Sequence, residues 1–350
     1  MIFKKKRVLG KGVILWMAVC LSSMLCVTII VPGLLVKKIP DGGAQSPIQI
    51  AKDGLLQETI TEQGLMIPVY LTKKATIETV PLEQYVKGVL AAEMPIEFEL
   101  EALKAQAMAA RTYVVRRVLE KDYSNMPVSD ALVTDTTAHQ AYITEQELRD
   151  RWDKRYETNM AKIDRAVNET KDLILTYEHK PINATFFSTS NGYTENSEDY
   201  WPFKSPYLRS VPSPWDIKLS SRYQETVDLS YKSMLQKLGV TSIATTGTSA
   251  KNMKVLAWST GHRIKTITIG GKIFSGREVR EKLGLASSQF TWTWSGSKIT
   301  FTTYGYGHGV GLSQWGANGM AKEGKTAEQI VTYYYTGISI EKATPFIRKS

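Results

Sequence analysis

Between Leu82 and Pro95 an apolar stripe runs into a carboxylate and then into a proline, and this collision constrains the chain more than any other feature. Leu82, Tyr85, Val86, Val89 and Leu90 recur at steps of three and four, the spacing of one helix face. The next position of that stripe is Glu93, so a carboxylate stands where the pattern calls for a buried side chain. Pro95 lacks a backbone donor and pushes Met94 out of helical conformations, so the helix has to stop there. Glu93 would then sit half sheltered at a helix C-terminus. Apolar surroundings and the negative end of the helix dipole both disfavour the charged form, which raises the pKa and suits a general acid.

A second helix is expected from near Phe98 to Leu119. Its alanines at 102, 105, 107, 109 and 110 let another backbone approach closely, and Lys104, Met108, Arg111 and Val115 share a face. Two cations so near Glu93 in sequence would pair with a carboxylate or hold a polar ligand. The plainer alternative is a solvated face with ordinary ion pairs.

Residues 1–12 carry Lys4, Lys5, Lys6, Arg7 and Lys11 without an acid, and the 24 residues from 13 to 36 carry no charge. A helix of that length crosses a bilayer core of about 30 Å. The basic flank places the N-terminus in the cytoplasm and the rest outside, so 1–12 reads as a cytoplasmic tail, 13–36 as an uncleaved signal anchor and 37–64 as a tether. A cleaved signal peptide competes, but no small-x-small site follows the long run, and Leu25 before Cys26 does not fit a lipoprotein site. Both cysteines, Cys20 and Cys26, lie inside the span, so no disulfide or cysteine metal site is expected in the exported part. The formal charge of +10 is mostly topology: seven basic residues and no acid fall within 1–38, leaving +3 for the remainder. Nucleic-acid binding is therefore not expected.

Further along, 65–73 and 75–80 read as short strands leading into the Glu93 helix, 145–169 as a charged helix, and Leu173–Tyr177 with Ile182–Ser188 as a strand pair. His139 lies in a polar turn without a second histidine or a cysteine nearby, so no metal is assigned there. The loop at 188–201, STSNGYTENSEDYW, mixes hydroxyls, amides, carboxylates and aromatics as carbohydrate sites do, although a surface connection has a similar look. YLRSVPSPWD, 207–216, is a rigid turn carrying Arg209 and Asp216. The stretch 217–250 offers one helix, Tyr231–Leu238, and no chemistry. A hairpin at 253–259 and 264–269, a helix at 275–285 capped by Ser275, and strands at 289–294 and 298–303 follow. Gly305, Gly307, Gly309 and Gly311 then alternate around His308, which frees the backbone to come close to a ligand or another strand, and Gln314 and Trp315 open a helix.

Four pieces in this order carry a resemblance: LEQYVKGVLAAEMP with ALKAQAMAARTY, FFSTSNGYTENSEDYW, YLRSVPSPWD, and GHGVGLSQWGANGMA. From about Val80 onward the chain resembles the stage II sporulation protein D family and the wider group that includes amidase-enhancer proteins. The resemblance implies a lytic transglycosylase that cuts peptidoglycan glycan strands between N-acetylmuramic acid and N-acetylglucosamine, leaving a 1,6-anhydro end. It implies action during forespore engulfment at the septal membrane, beside a partner amidase and a multi-span membrane protein, with no cofactor. The family's catalytic glutamate falls on Glu93. Its essential basic residues fall on Lys104 and Arg111, and its groove residues on Ser188, Asn191, Tyr193, Tyr207, Asp216, His308 and Gln314.

One carboxylate suffices for that reaction. Protonated Glu93 would donate to the glycosidic oxygen, then take the proton from the muramic C6 hydroxyl as it attacks C1, with Lys104 or Arg111 steadying the anion between the steps. A hydrolase would need a second carboxylate about 5 to 9.5 Å away, for which Glu195, Glu198, Asp199 and Asp216 are candidates. A non-catalytic wall-binding amidase enhancer and a membrane-anchored scaffold are the alternatives outside enzymology. Short strands between unevenly placed helices argue against βαβ repetition, so the expected fold is α+β: one two-lobed extracytoplasmic unit over 65–350 with a groove, behind a single transmembrane helix.

Overall fold

The computed structural model describes residues 60–61, 64–240 and 252–348. The expected basic tail and membrane span lie outside the described residues, as does most of the tether. Among the described residues no helix is long and apolar enough to cross a membrane.

Strands β1 (Ile60–Thr61), β2 (Gly64–Leu71) and β3 (Thr76–Pro81) are antiparallel neighbours, and β4 (Val133–Thr134) adds to β2 in parallel. β3 leads directly into α1 (Leu82–Glu93), whose apolar stripe is buried as its spacing requires. The helix ends at Met94, which is extended and bonds Leu90 O through its N–H, immediately before Pro95. α2 (Leu100–Leu119) follows and is buried on almost every side. Its small alanines make that possible, and α1 packs against it together with four later elements: a helix ending at Glu169, a strand at Leu173–Tyr177, and helices at Gln314–Lys322 and Ala327–Tyr334.

The charged segment 145–169 is two helices rather than one. α3 (Glu145–Trp152) starts with a capping box between Thr144 and Glu147, buries only Leu148, and stops at Asp153, whose φ is +45°. α4 (Tyr156–Glu169) turns Met160, Ile163 and Val167 into the core. A helix whose face is nearly all charged has nothing to bury, so the chain bends to bring in the apolar half. β5 (Leu173–Tyr177) pairs with β6 (Lys180–Pro181) and with a late strand at Ser339–Lys342. Only Phe186–Phe187 of the expected second strand forms one, β7, and its partner is not β5 but a distant segment, Leu312–Ser313.

A second apolar cluster gathers Met234, Leu238, Ile267, Phe274, Val279, Phe290 and Phe301. It is built by β8 (Gln224–Ser230), the β9–β10–β11 sheet (Met253–Trp258, Ile264–Ile269, Lys272–Ser275) and β12–β13 (Phe290–Ser295, Lys298–Tyr304), the last pairing with β8. Besides α1 to α4, the short helices α5 (Ser197–Tyr200) and α6 (Trp215–Leu219) precede α7 (Tyr231–Leu238) and α8 (Gly276–Leu283), and both longer ones lie in this cluster. β8 was not foreseen. Its QETVDLS pattern exposes one side of every residue pair and carries few apolar groups. The chain then returns to the first cluster through β14 (Leu312–Ser313), α9 (Gln314–Lys322), α10 (Ala327–Tyr334) and β15 (Ser339–Lys342). The fold is α+β, with mostly antiparallel strands.

Candidate active site

A cavity of about 470 Å³ brings together Glu93, Ser188, His308 and Gln314, four residues separated by up to 221 positions in the chain. The loop after β4 adds His139 and Gln140, α2 adds Tyr113, the glycine segment adds Tyr306, and α8 adds Arg280. Sequence reasoning noted His139 without giving it a role and passed over Gln140, Tyr113, Tyr306 and Arg280. Only the order of elements in space puts them there, and no local pattern marks them.

Glu93 is half-buried at the end of α1. Ala141 N–H donates to Oε1 at 2.9 Å and Gln314 Nε2 to Oε2 at 3.4 Å. Burial raises its pKa, and these two bonds, which favour the anion, offset only part of that rise. Among the described residues no other carboxylate lines the cavity. Each candidate second carboxylate is engaged elsewhere: Glu195 with Arg263 at 3.3 Å, Glu198 with Arg209 at 2.5 Å, Asp199 with Lys265 at 2.7 Å, and Asp216 with Ser190, Ser213 and Ser313.

His308 is held in one neutral form. Val310 N–H donates to Nδ1 at 3.1 Å, so the ring hydrogen resides on Nε2, next to the Phe186 backbone. Burial, then the charges of Arg280 and Arg263, push its pKa down to about 3. It therefore contributes shape and a donor, not a titrating acid. Trp201 and Tyr200 approach the ring at 5.2 and 5.8 Å, and Trp201 stacks on the exposed Phe203 at 5.6 Å. Gly309 and Gly311 have φ of +87° and +81°, and a Cβ would strike the Arg263 guanidinium at the first and Thr185 O at the second. No other residue type fits there. His139 Nδ1 accepts from Thr134, and Nε2 faces Ser124 O at 3.2 Å. Among the described residues no three His, Cys, Asp or Glu side chains gather as metal ligands. Gln140 accepts from Tyr85 OH at 3.1 Å, while its buried Nε2 has no acceptor among the described residues.

The other expected site residues lie outside the cavity lining. Arg111 is fully buried and bonds Glu83 at 2.6 and 3.0 Å and Leu173 O at 3.1 Å. Lys104 bridges Glu101 at 2.8 Å and Glu169 at 3.1 Å. Both cations are therefore spoken for, and the groups that hold the Glu93 carboxylate are Ala141 and Gln314 instead. Asp216 is buried behind the site, accepting from Ser190 N at 2.7 Å, Ser213 Oγ at 2.7 Å and Ser313 Oγ at 2.5 Å. It ties the 188–201 loop to the residue that caps α9, and so positions Gln314. Asn191 is buried and donates to Gly261 O at 2.9 Å. Tyr207 accepts from Asn183 N at 3.0 Å and packs on Tyr177, and Tyr193 is exposed beside His262 at 4.5 Å.

Residues 70–177 match the family described as Stage II sporulation protein. Over 274 residues the chain is 47% identical to stage II sporulation protein D of Bacillus subtilis (strain 168), an alignment covering 78% of each. The chain belongs to the stage II sporulation protein D family. The stage II sporulation protein D of Bacillus amyloliquefaciens is 46% identical over 274 residues, again 78% of each chain. The family reaches further: the amidase enhancer of Bacillus subtilis (strain 168) is 30% identical over 304 residues, 73% of this chain and 40% of that one. The matched 70–177 region holds Glu93 and α2.

Proposed function

We propose that this chain is a membrane-anchored lytic transglycosylase that cleaves peptidoglycan glycan strands between N-acetylmuramic acid and N-acetylglucosamine, during wall remodelling in sporulation. The observation that carries this reading is that Glu93, with its raised pKa, is the one carboxylate among the described residues that lines its cavity. A single carboxyl suits a reaction in which one group acts twice. Protonated Glu93 donates to the glycosidic oxygen as the C1–O bond breaks, and the neighbouring sugar leaves with a free hydroxyl. The carboxylate, steadied by Ala141 N–H and Gln314 Nε2, then takes the C6 hydroxyl proton as O6 closes on C1. The proton balance returns to its start and no second base is used. Trp201, beside His308, and the exposed Phe203 stacked on it suit the apolar side of a sugar ring. The 13–36 segment would anchor the protein with its body outside the cytoplasm, where its partners would be a wall amidase and a multi-span membrane protein of the engulfment septum.

Mass spectrometry of fragments released from purified glycan strands tests the reading. Anhydro-ended products from residues 39–350, reduced about 10²- to 10⁴-fold by Glu93→Gln with the fold intact, are expected. Reducing ends would point to hydrolysis, and no fragments at all would remove the enzymatic reading.

The likeness to an amidase enhancer favours a second role, stimulation of a partner amidase. Stimulation that survives Glu93→Gln would separate that role from catalysis.

A further inference from the structure

Among the described residues, Arg280 is the only Lys or Arg side chain lining the Glu93 cavity. It comes from α8, whose start is fixed by a capping box between Ser275 and Glu278. Its Nε donates to Ala286 O at 3.2 Å and its Nη1 to Tyr200 OH at 2.9 Å. Tyr200 in turn directs its hydrogen to Glu281 at 3.5 Å, and its ring lies under Arg277 at 5.0 Å. The guanidinium is thus aimed from two sides by neutral oxygens.

The charges around it make the contrast plain. Arg277, one turn earlier, pairs with Glu281 at 2.7 Å, Arg263 with Glu195, Arg209 with Glu198, and Lys265 with Asp199. Among the described residues no carboxylate pairs with Arg280. The acid in its own cavity is Glu93, which burial biases toward the neutral form. Its charge reaches the cavity, since Arg280 is among the groups that hold His308 neutral. An oriented, unpaired cation in a partly enclosed cavity is a receptor for an anion, and a guanidinium fork matches a carboxylate in particular.

On the reading proposed above, the two sugars of the strand differ in one respect that such a cation can detect. N-acetylglucosamine is uncharged, whereas N-acetylmuramic acid carries an ether-linked lactyl group ending in a carboxyl. We propose that Arg280 binds the lactyl carboxylate of the muramyl sugar and so sets the register of the strand, bringing the muramyl rather than the glucosaminyl C1 to Glu93. Arg280 and Glu93 line one cavity of about 470 Å³, so the anion has to be carried on a sugar next to the bond being cut. Carboxylates further out on a stem peptide are the other source of the same chemistry.

Binding in the Glu93→Gln background tests this without turnover. Four probes are compared: strands with free lactyl carboxylates, the same strands with those carboxylates converted to neutral methylamides, strands bearing stem peptides, and a chito-oligosaccharide of equal length. The free-carboxylate strand should bind about 10- to 100-fold more tightly than its methylamide, the range of a charge-assisted hydrogen bond. Adding Arg280→Gln should erase that preference while changing chito-oligosaccharide affinity less than about threefold. Arg280→Lys, which keeps the charge and loses the fork, should retain part of the preference. A preference that persists in Arg280→Gln overturns the inference, and so does loss of chito-oligosaccharide binding in both variants, which would mark a structural role. If peptide-bearing strands bind as tightly as free-carboxylate strands, and equally through Arg280, the lactyl assignment fails. Absence of anhydro products from the wild-type protein would sink the transglycosylase reading by itself and leave these binding arms readable.

Discussion

At the scale of single residues, the site rests on a carboxyl placed where its charge is disfavoured. The folded-state pKa of Glu93 is raised above its unfolded value, so its contribution to stability is full below the unfolded pKa and is lost as pH rises through the folded one. Glu93→Gln should therefore unfold at a temperature about one to a few degrees higher than wild type at pH 7, with the gap closing near pH 4. Thermal melts at the two pH values check this, and a gap that grows toward acid would contradict the account. Glu93 was legible from sequence because it interrupts a stripe, which is a local event. Of its donors, Gln314 was expected in the site only through the resemblance and Ala141 not at all, because both reach the carboxyl only through the folded chain. Lys104 and Arg111 show the reverse limit: spacing puts them on one face of α2 but says nothing about what that face meets. It meets Glu83 and Glu169.

At the scale of elements, α2 is the piece on which the others are laid, and its two cations differ sharply in what they hold. Arg111 is fully buried, and removing it would strand the Glu83 carboxylate and Leu173 O. Arg111→Ala should cost about 3–5 kcal/mol, and Lys104→Ala, at a partly exposed bridge, no more than about 1 kcal/mol. Denaturant unfolding of the two variants measures this, and an equal loss in both would mean the Arg111 contacts are not what stabilises the helix. Any activity lost in Arg111→Ala should track the folded fraction. Most elements with a strong period were readable, including α1, α2, α8 and the β12–β13 hairpin. The break at Asp153 and the two-residue strands β7 and β14 were not. A left-handed turn residue of ordinary type leaves little trace, and a pair of residues is too short to show a period.

At the scale of the whole molecule, the two apolar clusters meet through a buried ion pair. Arg263, just before β10, and Glu195, in the loop after β7, are each about 2% exposed and 3.3 Å apart, and Arg263 lies against Gly309. Arg263→Met would leave Glu195 buried without its partner and should cost about 3–5 kcal/mol, while Arg263→Met combined with Glu195→Leu should recover most of that loss. A double-mutant cycle by equilibrium unfolding gives the coupling directly, and simple additivity of the two changes would show the pair to be unimportant. The sequence offered Glu195 only as a candidate second carboxylate and did not mark Arg263 at all, since a buried arginine and an exposed one are written with the same letter. The α+β character was legible from the uneven mixture of elements, but not the way the chain leaves its first cluster, builds a second and comes back.

That return has a consequence in time. The carboxyl emerges at residue 93, whereas the amide that steadies it comes from residue 314, and β7 waits for residues 312 and 313 before it has a partner. Contacts so far apart in the chain form late, after the intervening loop entropy has been overcome. A polypeptide still being synthesised therefore displays its acid long before the residues that hold it have arrived. On the proposed reading, a cutter of cell wall made this way is harmless until its last tenth has arrived.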